Sequence, residues 1–122
     1  NIFILDEDPV IAAKMLCDKH VPKMIVESAQ MLSTAHRLLD GSPTKRRSRS
    51  GKTIQTYYEF KDMRDELYYT AVHKYHPCTT WTMESVENYN WHYGHFAAMA
   101  EEYTFRREKK HAKYSRQSKT HF

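Results

Sequence analysis

Between Cys17 and Thr34 the chain carries more polar side chains than a core-facing helix needs. At about 100° per residue, Lys23, Glu27, Gln30 and Thr34 fall on one flank of a helix, with His20 just upstream. A carboxylate half-buried on such a flank can act as a general base or steady a developing cation, and burial raises its pKa toward the working range. The plainer reading pairs Glu27 with Lys23 one turn earlier, a contact worth roughly 0.2–0.5 kcal/mol. A second polar stripe follows late in the chain: Glu84, Asn88, His92 and His95, with Trp91 beside them. The two stripes are expected to face one another across a cleft. In that arrangement Glu27 is the acid/base or cation-stabilising group, and His20 and His92 place it or the substrate.

The elements that must position these stripes are helices. Asp8-Pro9 is a helix start, with a capping carboxylate before a proline suited to the first turn. The spacing predicts a first helix from Pro9 to about His20 and a second from Pro22 to about Leu39. The second carries an apolar stripe of Met24, Ile25, Ser28, Met31, Leu32, Ala35, Leu38 and Leu39. Asp40-Gly41-Ser42-Pro43 ends it. Residues 42–56 read as a Ser- and Arg-rich loop, expected to be mobile without a partner. A weaker helical pattern covers Tyr57 to Val72. The last major helix begins near Trp81, with Trp81, Val86, Tyr89, Tyr93, Phe96, Ala97, Ala100 and Tyr103 as its inward stripe. Ile2-Phe3-Ile4-Leu5 is too short for a helix and reads as an extended segment. The fold expected is therefore mainly α: a compact single domain of three to four helices, residues 1–105, with a short extended N-terminal segment and a basic tail at 106–122 that prolongs the last helix.

At 122 residues one core is affordable and two are not. The net charge of +4 is unevenly distributed. Lys45, Arg46, Arg47, Arg49 and Lys52 crowd residues 42–52 without an acid, and residues 106–122 hold seven basic residues against Glu108 alone. The remainder carries seven basic and fourteen acidic residues, a net of −7. A negative body with two positive arms suits a polyanionic partner, although a solvated loop and tail have the same composition. The nucleic-acid contacts expected are Lys23, Lys45, Arg46, Arg47, Arg49, Lys52, Arg106, Arg107, Lys109 and Lys110. Trp91, on the polar flank of its helix, is the aromatic best placed to stack on an unpaired base.

Three short-spaced sets, Cys17-x2-His20, His73-x2-His76-x-Cys78 and His92-x2-His95, match no standard zinc spacing, so no metal or cofactor is expected. Two cysteines make no disulfide framework, and no run of about 18 apolar residues occurs. A soluble, cytoplasmic protein follows, with no membrane partner. Three glycines argue against a phosphate-cradling loop.

Two resemblances attach to these residues. The blocks Cys17-Asp18-Lys19-His20, Lys23-Met24-Ile25, Leu38-Leu39-Asp40-Gly41 and His76-Pro77-Cys78 with Trp81, Asn88-Tyr89 and Trp91 resemble a family of small, uncharacterised proteins of tailed-phage genomes. That likeness implies a phage origin, with the host-cell cytoplasm as location, and no chemistry. Asp18-x-His20-x6-Glu27 is similar in spacing to a segment of the phage pyrimidine-dimer DNA glycosylase (endonuclease V) family. That resemblance implies a compact helical domain whose terminal α-amine, here on Asn1, attacks the sugar C1′, with Glu27 catalytic. Val26 and Gln30 stand where that family carries arginines, and a Lys/Arg tail replaces its aromatic C-terminus. The expected activity is thus base excision on DNA. The alternative is a non-enzymatic phage accessory protein that binds nucleic acid or a host factor, its polar stripes merely satisfying each other between helices.

Overall fold

The computed structural model describes residues 1–48, 50–72 and 74–120, the last ten of these by backbone alone. Five helices and one two-stranded antiparallel sheet make up these residues: α1 (Pro9–Lys14), α2 (His20–Asp40), β1 (Ser42–Arg47), β2 (Ile54–Glu59), α3 (Arg64–Leu67), α4 (Pro77–Glu84) and α5 (Val86–Thr120). The expectation of a mainly α domain with three to four helices is therefore corrected to a small mixed domain of helices and a β-ribbon.

The ribbon is the chief departure. Residues 42–56, expected as a mobile loop, supply β1 and the start of β2, and the helix expected over Tyr57 to Val72 shrinks to the four residues of α3. Ile54, Thr56, Tyr57 and Tyr58 are β-branched or aromatic and favour a strand. The charges of β1 read as loop because they occupy the exposed positions of a ribbon that is solvated along most of its length. A lone hairpin is marginal in water, and here its base is tied to the helices. Arg37, on α2 and fully buried, donates to the carbonyls of Tyr58 (2.7 Å), Asp65 (2.9 Å), Tyr68 (2.9 Å) and Tyr69 (2.6 Å) and to Asp65 Oδ1 (2.9 Å). Asp65 also accepts from the Tyr57 hydroxyl and the Phe60 amide. Gly41 makes the sharp exit from α2: a Cβ there would stand 2.5 Å from the Arg37 carbonyl oxygen.

Helix ends follow local chemistry. Asp8 Oδ1 accepts from the Val10 and Ile11 amides, with Pro9 in the first turn of α1. α1 stops at Lys14, short of the expected His20, and α2 starts at His20, two residues before the proline predicted to open it. Pro22 is tolerated because the first-turn N–H groups lack helical acceptors anyway.

The core is Ala13, Leu16, Val21, Met24, Ala98 and Met99, with Phe3 and Ile25 packed against it. α5 packs on both α1 and α2 through the face that carries His92, His95, Ala98 and Met99. Half of the stripe expected to point inward is exposed, namely Val86 at 71%, Tyr93 at 55%, Tyr103 at 39%, and Ala97. Trp81, Tyr89, Phe96 and Ala100 are half-buried. The face that turns inward instead carries buried His92, His95, Ala98 and Met99, with Gly94 lying against Pro9. Among the described residues no helix is long and apolar enough to cross a membrane.

Candidate functional site

The polar stripe of α5 acts as a clamp on the start of α1. Trp91 Nε1–H donates to the Glu7 carbonyl at 2.7 Å, and one turn on His95 Nδ1–H donates to the Pro9 carbonyl at 3.0 Å. The indole and imidazole rings lie 4.9 Å apart. With Glu7 and Pro9 fixed, the extended residues before them return along α2. Phe3 stacks on His20 at 5.3 Å, their planes 18° apart. The backbone nitrogen of Asn1 reaches 3.3 Å from Glu27 Oε2. The structure thus brings Asn1, His20 and Glu27 to one flank, where the Glu27 side chain is 35% exposed. Lys23, on the same helix, is exposed.

His92 belongs to a different environment. Its Nδ1 lies 2.8 Å from Thr82 Oγ1 and its Nε2 lies 3.0 Å from Ser28 Oγ, with no exposed surface on the residue. Hydrogen counting assigns the tautomer. Thr82 Oγ1 spends its single hydrogen on the Cys78 carbonyl at 2.7 Å, so His92 Nδ1 must donate to it. The remaining ring nitrogen then accepts from Ser28. A neutral ring fits, because burial first, then His95, lowers the His92 pKa to about 4. His95 is lowered too, by burial, against the opposing pull of its Pro9 hydrogen bond. The cleft expected between the two stripes is therefore not formed at His92, which is sealed at the interface of α2, α4 and α5. Thr34, the last member of the α2 stripe, is also internal: its hydroxyl donates to the Val72 carbonyl and accepts from the Val72 amide. Asn88 likewise donates to the Trp81 carbonyl.

The expected nucleic-acid contacts divide the same way. Arg106 is committed internally, to Glu102 at 2.9 Å, Asp18 at 3.0 Å and the Lys14 carbonyl at 3.1 Å. Trp91 spends its N–H on Glu7, and its ring already lies 4.9 Å from the His95 ring and 6.1 Å from that of Trp81. Arg107, Lys109 and Lys110 are exposed on α5, and Lys45, Arg47 and Lys52 are exposed on the hairpin. Arg46 lies 3.7 Å over the Tyr57 ring and 3.1 Å from Glu59. Arg49 lies outside the described residues. Because Arg106 reaches Asp18 and the hairpin begins just past Asp40, the two basic regions sit at opposite ends of α2. Its 21 residues span about 30 Å, with Glu27 between those ends.

Two centres were not foreseen from the residue pattern. Arg37 falls three positions after buried Thr34, a spacing that marks it as inward, but a lone arginine on an apolar helix gives no hint of five acceptors waiting. At the other, His36 Nε2 meets the Tyr89 hydroxyl at 2.5 Å and His36 Nδ1 lies 3.6 Å from Asp40. Burial, Tyr68 and Tyr93 raise the Tyr89 pKa. Among the described residues no three His, Cys, Asp or Glu side chains converge as a metal site. Comparison with protein-family models, curated proteins and solved structures returns no match.

Proposed function

We propose that the chain is a phage-encoded, DNA-directed enzyme of the base-excision type, with Glu27 as its catalytic carboxylate. One observation carries this reading: the N-terminal segment, clamped at Glu7 and Pro9 and stacked through Phe3 on His20, sets the nitrogen of residue 1 at 3.3 Å from Glu27 Oε2 on an accessible flank. Where residue 1 carries a free α-amine, that amine and the carboxylate beside it supply a nucleophile and a charge stabiliser for cleavage at a sugar C1′. In that case the amine attacks C1′ and gives up a proton, the bond to the base breaks and the base leaves carrying a proton, and the carboxylate steadies the positive charge that develops on the sugar. Where the residue-1 amine is free, ring opening leaves an imine that borohydride reduces to a permanent bond. His20 is a positioning residue in this scheme, acting through Phe3. His92 has no part in it. DNA is held by the exposed cations at the two ends of α2.

The test is cleavage of duplexes bearing an abasic site, a pyrimidine dimer or phage-modified bases, with borohydride added. Glu27→Gln is expected to retain folding and DNA binding and to lose at least about 100-fold in cleavage. A wild-type chain that binds these duplexes and cleaves none of them overturns the enzyme reading. The second reading is the non-enzymatic accessory protein, favoured by the sealing of His92 with both ring nitrogens bonded. It predicts binding without cleavage in wild type and Glu27→Gln alike.

A further inference from the structure

The antiparallel register sorts the ribbon's residues between two faces. Directly paired residues project to the same side and successive residues alternate. Pro43–Tyr58, Lys45–Thr56 and Arg47–Ile54 share one face, while Thr44–Tyr57, Arg46–Gln55 and Ser42–Glu59 share the other. The second face turns toward the helices, since the Arg37 guanidinium lies 5.1 Å from the Tyr57 ring centre, and its Arg46 is already paired with Glu59. The first face is outward and holds no acid. Lys45 reaches across it to Thr56 at 2.8 Å, Arg47 is exposed, and Ile54 is 70% exposed.

The segment before α4 extends this face with a second aromatic and a further cation. Lys74 Nζ lies 5.3 Å from the Tyr58 ring centre and 5.9 Å from that of Tyr75. Tyr75 is 89% exposed, so its ring is neither core nor occupied on both sides. Arg37 fixes the carbonyl of Tyr58 and thereby the base of the platform. Cations interleaved with aromatic rings on a solvated, acid-free surface fit a strand that offers phosphates and unpaired bases together. A closed duplex shields its base faces and gains nothing from Tyr75.

We infer that the outward ribbon face, with Lys74 and Tyr75, is a binding site for single-stranded DNA, in which a base stacks on Tyr75 and phosphates meet Lys45, Arg47 and Lys74. The choice of DNA rests on the function proposed above. The site itself is independent of Glu27. The experiment is fluorescence anisotropy on the full chain with undamaged 12-nucleotide DNA, its duplex and single-stranded RNA of the same sequence, over a salt series. No lesion is present, so turnover does not enter, and a failure here leaves the Glu27 reading standing. Single-stranded DNA is expected to bind more tightly than either competitor. Tyr75→Ala is expected to weaken it by about 5- to 150-fold while duplex binding stays level, and Tyr75→Phe is expected to bind as wild type. Lys45→Gln and Arg47→Gln are each expected to lower the salt slope by about 0.7. Equal or tighter binding of the duplex, or an unchanged affinity in Tyr75→Ala, overturns the site. Tighter binding of the RNA overturns its assignment to DNA.

Discussion

The two flanks of α2 begin from the same kinds of residue and end in opposite conditions. On one side Ser28 joins His92 and Thr82 in a network with no exposed surface, each ring nitrogen partnered. On the other, Glu27 keeps a third of its side chain in solvent and faces residue 1 and the Phe3–His20 stack. Polar periodicity does not tell the two apart. What separates them is the supply of partners. A buried polar group surrounded by matching donors and acceptors specifies the packing, whereas Glu27 is left accessible to solvent and solutes.

Substitutions that remove partners from the interior are expected to cost most. Arg37→Leu leaves four carbonyls and the Asp65 carboxylate without their donor, and a destabilisation of roughly 3–5 kcal/mol is expected in urea or thermal unfolding. The hairpin amides at the base of the ribbon should lose their exchange protection in the same variant. Next comes His92→Ala, which empties the α2–α4–α5 interface and strands Ser28 and Thr82. A loss of about 2–4 kcal/mol is expected with single-stranded DNA affinity unchanged once the protein is folded. A surviving Tm would mean that His92 is not sealed.

The pH dependence sharpens the same contrast. His92 is held near 4 in the folded protein and titrates near 6.5 when unfolded. Between those values the unfolded chain binds the extra proton, so stability rises with pH. The contribution is complete above about 6.5 and is lost as pH falls toward 4, a change on the order of 3 kcal/mol. Asp65 acts in the same direction over a lower range. Arg37 holds its carboxyl below the usual 3.8, so its contribution is present above that value and fades below it. His92→Gln should reduce the dependence between pH 4 and 6.5 to the part that His95, also lowered by burial, contributes, without touching the Asp65 limb, and unfolding midpoints across that range read it. At the small end, Glu27→Gln alters one solvent-accessible contact, to the nitrogen of residue 1, and should move stability by less than about 1 kcal/mol.

Helix α2 was legible because three-four spacing is a local signal. The last helix, expected to run unbroken from near Trp81, is instead split at Ser85 into α4 and α5, so Glu84 lies on a different helix from His92 and His95. The position of Glu27 on its flank was legible for the same reason as α2, whereas His20, expected at the end of the first helix, opens α2 instead. The inward face of α5 was misread because Val86 and Tyr93 outrank two histidines in apolarity. The fold instead chooses the face where Ala98 and Met99 pack in the core and where Glu7, Pro9, Ser28 and Thr82 satisfy the polar atoms. Those partners are 64 to 86 residues away for the histidine contacts to Ser28 and Pro9, a separation no window of spacing can see. The ribbon was hidden by its own charges, since an exposed strand and a basic loop share a composition. What distinguishes them here is Arg37, whose acceptors come from three later segments.

The central claim is that the open flank reacts and the sealed network only holds. It is tested most directly by comparing Glu27→Gln with His92→Gln in one borohydride-trapping assay on abasic and modified duplexes, each variant assayed at a temperature where it is folded. The account predicts that Glu27→Gln keeps its unfolding midpoint and loses cleavage and adduct together, while His92→Gln loses stability and keeps its rate when folded. Undiminished cleavage by Glu27→Gln, or abolished cleavage by a folded His92→Gln, would contradict it.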